Sequence, residues 1–296
     1  MTNNRKLFKY LFMLNFMSDF PYVETMFGLM AAYGAYKLLS SKSKTTKSTY
    51  TEPSIETSAR KSRSLEARLA SEPLKNGTHD DFAVLISGMT EERHEENINL
   101  AYNTLIGSGY KPENIYILDD DGRSDRNYPV DASAEKSTIK LLFDHLKKRV
   151  DNKDSLFVYV TNHGEKEDDQ SSILLYGEDV YEKDFEKYLT GIEAKIGILV
   201  FDQCYSGGFA KRLGKGKYVA IAACQPDESS KENTFPQAFF KAFKDTIADI
   251  NKDGRLSVEE AFIYAASHDR NATHGNQKPM LISELNPKKI ILGLFE

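Results

Sequence analysis

Five short apolar runs alternate with amphipathic stretches in the last two-thirds of this 296-residue chain, and that alternation restricts its fold more than any other feature. The runs are Phe82–Ser87 (FAVLIS), Asn114–Leu118 (NIYIL), Ser155–Thr161 (SLFVYVT), Ile196–Phe201 (IGILVF) and Tyr218–Ala222. None alternates polar with apolar residues, so each needs cover on both of its faces, as in a parallel sheet with crossover helices. Two segments between them read as those helices. Glu95–Gly107 sets Ile98, Ala101 and Leu105 at helical spacing, and Glu135–Val150 sets Ile139, Leu142, Phe143 and Leu146 on one stripe. Residues 80–296 are therefore expected to form an α/β body, a three-layer αβα sandwich around a mostly parallel central sheet.

Charge separates this body from what precedes it. Residues 1–39 carry a net +2, residues 40–79 a net +4, and residues 80–296 a net −11. An acidic body gives no global field for nucleic acid, so none is expected as a partner. Residues 7–39 form an interrupted apolar leader, with Leu11–Leu14 and Phe27–Leu39 flanking Asn15, Asp19, Pro21 and Glu24. It holds no uninterrupted run of about 18 apolar residues, so a regular membrane-spanning helix is not expected. Two readings stay open: a membrane-interface or tilted anchor that associates or exports the chain, and an apolar hairpin packed on the body or a partner. Residues 40–79 are rich in Ser, Thr and Lys and read as a flexible linker, with a short helical turn at Leu65–Leu69. Localisation and oligomeric state stay open. Two cysteines exclude a disulfide scaffold and a four-cysteine zinc site.

In parallel sheets, chemistry sits just past the carboxyl ends of the strands. The third run ends in Thr161-Asn162-His163-Gly164, and the fourth in Asp202-Gln203-Cys204-Tyr205-Ser206-Gly207-Gly208. If the two strands are neighbours, His163 and Cys204 face one another. An imidazole beside a thiol can take its proton and make a nucleophile. Gly164 permits a sharp turn, and Gly207 and Gly208 permit backbone N–H groups to approach a carbonyl oxygen. Taken singly, a buried His or Cys is usually a packing residue. Two of them at the ends of two strands are a rarer arrangement.

VYVTNHG followed by LVFDQCYSGGF resembles the cysteine peptidases of the caspase-like clan, most closely the legumain family and its prokaryotic relatives. The segment from Phe82 to Asp121 is similar to the opening of a legumain domain. The resemblance spans about residues 81–270 and implies a caspase-like sandwich. It further implies Cys204 as nucleophile, His163 as general base and acid, and the N–H groups of Gly164 and Cys204 as oxyanion donors. Legumains carry an Asn shortly before an Arg-His pair, and it orients the histidine. Here the stretch reads Glu91-Glu92-Arg93-His94, so that member is absent or replaced. Asp202 matches a position lining the primary specificity pocket of the clan, and Arg93 matches a legumain pocket arginine. Paired, they would suit Asn. Asp202 alone would suit Arg or Lys, and Asp227 could add acidity.

A second motif is independent of the first. Asp249-Ile-Asn251-Lys-Asp253-Gly254-Arg255-Leu-Ser257-Val-Glu259-Glu260 fits a calcium-binding EF-hand loop at every ligand position, with Gly at the sixth place and Glu at the twelfth. Asp249, Asn251, Asp253, the Arg255 carbonyl and Glu260 would hold the ion, between a helix over 236–248 and another over 258–268. The other reading is an acidic helix–turn–helix with Ser257 as an N-cap. The functional expectation is a cysteine endopeptidase acting on peptides or proteins, with calcium as a structural or regulatory ion. The alternatives are a transamidase using the same dyad, and an inactive caspase-like scaffold that binds peptides or partners.

Overall fold

The six-stranded central sheet has β1 (Asp81–Ser87), β3 (Ser155–Thr161) and β7 (Ile196–Phe201) at its middle. The computed structural model describes residues 65–294 other than 90, 124, 125 and 233, all within the compact unit Pro53–Glu296. The apolar leader expected at 7–39 and the linker as far as residue 64 lie outside the described residues.

The sheet runs β10–β8–β7–β3–β1–β2, with β2 at Ile115–Asp119, β8 at Tyr218–Ala222 and β10 at Met280–Ile282. All pairings are parallel except β10 on β8. The five expected apolar runs thus supply all five parallel strands. Alternate residues of each strand enter different cores. Phe82, Val84 and Ile86 face one cluster, while Ala83 and Leu85 face the other.

Helices cover both faces. On the first lie α2 (Lys136–Arg149), α3 (Glu182–Leu189) and α4 (Gly207–Leu213), which supply Ile139, Phe185 and Phe209. On the second lie α1 (Glu92–Gly107), α5 (Thr234–Lys241) and α6 (Val258–His268), which supply Ile98, Phe239 and Ala261. This is the three-layer αβα sandwich expected from the sequence, with a mostly parallel sheet. Among the described residues, no helix is long and apolar enough to cross a membrane.

Three features depart from the expectation. The linker does not run free to residue 79. Residues 65–71 contain the helical turn expected at Leu65–Leu69, but it is packed on the body, with Leu65 and Leu69 buried in the first core. Arg68 pairs with Glu72 and Asp131, so this part of the linker is held to the body at both apolar and charged positions. Next, a small antiparallel sheet, β4 (Gly164–Glu167), β5 (Gln170–Ile173) and β6 (Val180–Tyr181), follows directly on His163. Finally, the helix expected over 236–248 ends at Lys241, and a single 3-10 turn at Thr246–Ala248 leads into the acidic loop. The chain is completed by β9 (Arg255–Ser257), α7 (Arg270–Thr273) and β11 (Ile291–Leu294), of which β9 and β11 pair with each other.

Candidate active site

Three neighbouring strands deliver the site. Ser87 is opposite Thr161 in the β1–β3 ladder, and Val160 is opposite Phe201 in the β3–β7 ladder. The loops leaving β1, β3 and β7 therefore start at one level of the sheet. They carry Glu91, His163 and Cys204. The condition on which a histidine–thiol pair depended, that the third and fourth apolar runs be adjacent, is met.

Gly164 explains how closely the loops approach. A Cβ at this position would overlap the Cys204 carbonyl oxygen and lie 2.8 Å from Gln203 Cγ and 3.0 Å from the Ser172 carbonyl. Only glycine lets the backbone after His163 rest on the backbone of the cysteine loop. Gly207 and Gly208 are small for packing. Added Cβ atoms would strike Pro226 and Gln225 at Gly207, and Glu182 and Ser171 at Gly208. Their lack of a side chain lets the start of α4 lie against these neighbours.

Cys204 is half-buried, and its Sγ lies 3.6 Å from the Ser230 carbonyl, to which the thiol donates. Burial pushes the thiol pKa up, partly offset by that hydrogen bond, so the resting form is the thiol. Tyr205, next in sequence, has a φ of 60°, which bends the chain sharply after the cysteine.

His163 has a partner that the sequence did not assign. Its Nε2 lies 2.6 Å from Glu91 Oε1. Burial opposes ionisation of Glu91, but the hydrogen bond from His163 and the charge and hydrogen bond of Arg93 hold its carboxyl well below the usual range. Glu91 ends the loop after β1 and immediately precedes α1. It stands two residues before Arg93, in the segment where legumains carry their orienting Asn.

Arg93 Nε lies 2.8 Å from Glu91 Oε2, and its Nη2 lies 3.1 Å from His163 Nε2. The arginine expected to pair with Asp202 thus also forms part of the histidine's surroundings. Asp202 is buried within reach of its charge. Its Oδ2 accepts from Thr161 Oγ1 at 3.2 Å and from Asn97 Nδ2 at 3.4 Å. Its Oδ1 has no hydrogen-bond partner among the described residues. Burial pushes the Asp202 pKa up to about 8, against the opposing charge of Arg93. Asp227, the other expected pocket acid, is exposed in the turn after β8. The acid whose charge is felt at Asp202 is instead the buried Asp269. Its carboxylate is occupied by the Asn271 N–H, Thr234 and Gln277.

The elevated Asp202 pKa has a consequence for stability. An acid whose folded pKa is raised opposes folding above its unfolded pKa, near 4, and the full cost is reached above its folded pKa, about 8. Asp202→Asn keeps the shape and removes the charge. The variant is expected to gain stability relative to the parent as pH rises from 5 to 9, by on the order of 3 kcal/mol. Thermal unfolding at both pH values measures this. A parent that loses no stability over that range relative to the variant would show that Asp202 ionises normally.

The acidic loop folds as its sequence pattern requires. Asp249 accepts from the N–H groups of Asp253 and Gly254, Asn251 from Asp253, and Asp253 from Arg255. Glu260 turns back over the loop, with Oε1 accepting from Asn251 N–H at 3.1 Å and Oε2 from Ser257 N–H at 3.0 Å. Gly254 has a φ of +78°, as the sharp turn at its place in the loop demands. Ser257 also caps α6, so the cap and the loop motif coexist.

Residues 146–248 match the Peptidase C13 family. Over that third of its length the chain is similar to the Peptidase C13 family. The match supports a legumain-like cysteine-peptidase function in general, and it contains both His163 and Cys204. It stops one residue before the acidic loop, and Glu91 and Arg93 lie ahead of it. No curated protein matches the chain.

Proposed function

We propose that the chain is a cysteine endopeptidase in which Cys204 attacks the scissile carbonyl and His163 is general base and acid. The single observation that supports this best is the packing of the Gly164 backbone on the Cys204 carbonyl, which brings the two loops together beyond adjacent strands. With Nε2–H donated to Glu91, the lone pair of His163 is on Nδ1, and that nitrogen takes the thiol proton. Glu91 then steadies the imidazolium, replacing the Asn of legumains with a full charge. The N–H groups of Cys204 and Gly164 are the oxyanion donors in this reading. Leaving-group protonation by His163 gives an acyl-enzyme, and water releases the product.

Asp202 lines the primary pocket. Burial keeps Asp202 largely protonated in the free enzyme, and an Arg, Lys or Asn side chain entering before the cut would supply the cation or donor that its carboxyl lacks. A library varying that residue, together with labelling by a peptidyl electrophile, tests the proposal. Labelling should fall on Cys204 alone, and cleavage after Asp or after apolar residues would sink the pocket assignment. Intact Cys204 and His163 favour an enzyme over a scaffold, and no labelling at all would return the scaffold reading. The transamidase alternative shares every residue named here, and an added amine acceptor that diverts the acyl group would favour it.

Calcium is proposed at Asp249, Asn251, Asp253, the Arg255 carbonyl and Glu260. The loop already gathers its side-chain oxygens, and the residue types are the hard oxygen donors calcium prefers. Calorimetry is expected to show binding of one calcium, weakened at least tenfold by Glu260→Gln, which removes a charged bidentate ligand. A titration without heat or thermal shift would leave the loop as a structural turn.

Peptide or protein substrates are the proposed partners. Membrane association through 7–39 stays a proposal of the sequence.

A further inference from the structure

Beside the proposed dyad lies a cluster that peptide hydrolysis does not account for. Glu91, His94 and His163 each offer one ligand atom, and the three atoms lie within 4.8 Å of one another. Glu91 and His94 are three residues apart at the start of α1, so both face the same way. His163 arrives from the loop after β3.

His94 is the informative member. It is 1% exposed, and its Nε2 is buried with no hydrogen-bond partner among the described residues. Its other nitrogen, Nδ1, lies 2.8 Å from Thr161 Oγ1. Thr161 in turn lies 3.2 Å from Asp202, so the ring is held at its Nδ1 edge by a hydroxyl that is itself anchored. His94 Nε2 lies 3.9 Å from Glu91 Oε2. A buried imidazole held by a hydrogen bond at one nitrogen, with its other nitrogen unpartnered and close to a carboxylate and another imidazole, has the form of a metal ligand.

We propose that Glu91, His94 and His163 form a site for a zinc-like divalent transition metal. Two imidazoles and one carboxylate suit zinc better than calcium or magnesium, which take oxygen ligands. Zinc bonds of roughly 2.0–2.2 Å set tetrahedral ligand atoms about 3.4 Å apart, so the Glu91–His163 pair at 2.6 Å opens slightly while His94 draws in. The side chain of Arg93, a third exposed, now stands against Glu91 and His163 and swings out as the dication enters. Metal on Nε2 leaves the proton on Nδ1, so His163 can no longer accept one. The site is thus an inhibitory one, in competition with the Glu91–His163 hydrogen bond. The inhibition rests on His163 being the general base, while the binding does not.

The test uses the full chain carrying Cys204→Ala, so that the thiolate cannot hold the metal. Zinc is titrated against a chromophoric chelator with calcium in excess to occupy the acidic loop. One zinc per chain is expected, with affinity reduced about tenfold or more by Glu91→Gln and by His94→Ala. Circular dichroism checks the fold of each, and Glu91→Gln carries the test if the buried His94→Ala variant does not fold. Zinc affinity unchanged in both variants overturns the site, as does zinc binding that vanishes with Cys204→Ala alone. Zinc bound at the site while the parent cleaves peptide at full rate supports the site and counts against His163 as the base.

Discussion

Cys204→Ala and His163→Ala are each expected to lower turnover by about a thousandfold or more while leaving the fold intact. Both residues sit in loops past the carboxyl ends of their strands and contribute to neither apolar core. Cys204→Ala removes one weak hydrogen bond, to the Ser230 carbonyl. His163→Ala removes the partner of Glu91, but Glu91 keeps Arg93, so its carboxylate is not left uncompensated. Stability should therefore change by about 1 kcal/mol or less in either variant. Steady-state kinetics on the substrate found by library profiling, with thermal unfolding alongside, checks both halves. Substantial activity in Cys204→Ala would remove the nucleophile, and unfolding of either variant would show that these residues are structural after all. Mutating both should cost little more than mutating one, because the two groups act as a unit.

Gly164→Ala should come close to the same loss by a different route. The added methyl would overlap the Cys204 carbonyl and press on Gln203 and Ser172, and two of these three contacts are with backbone that cannot swing aside. The cysteine loop must move by roughly an ångström relative to His163. Misplacement on that scale costs on the order of a hundredfold in rate, and the overpacking adds about 1–3 kcal/mol of instability. Gly107→Ala is the matched control. It closes a helix where an added Cβ meets open space, so neither rate nor stability should fall. A Gly164→Ala variant with parental kinetics would mean that the two loops need not touch for catalysis, and the main support for the dyad would be gone.

Much of this protein could be read from its residues in order. Fully apolar runs of five to seven residues have few ways to be buried, so five parallel strands and two helical layers followed from their alternation. The placement of His163 and Cys204 just past two such runs was also legible, and the structure sets both in loops beyond adjacent strands. The acidic loop was equally legible, since its twelve residues are a local pattern with a glycine where the turn needs one.

Pairings between distant segments were not legible. Glu91 read as the absence of an Asn, and only the register of β1 on β3 brings it to His163, 72 residues away. His94 looked like the second half of an Arg-His pair, and its bare nitrogen exists only because Thr161 holds the other one. Asp202 and Arg93 carry no sequence signal of their partners: the structure sets Arg93 against Glu91 and His163, and buries Asp202 on Thr161 and Asn97. The helical turn at Leu65–Leu69 was legible from the i, i+4 spacing of its two leucines, but not its burial, which depends on a core formed by other segments. Sequence by itself determined the strands and the local turn pattern of the acidic loop, since each depends on residues within a few positions of one another. The tertiary structure alone decided which charges meet, which nitrogen is left bare and which acid is buried, because those depend on the register between strands far apart in the chain and on the solvent that their packing excludes.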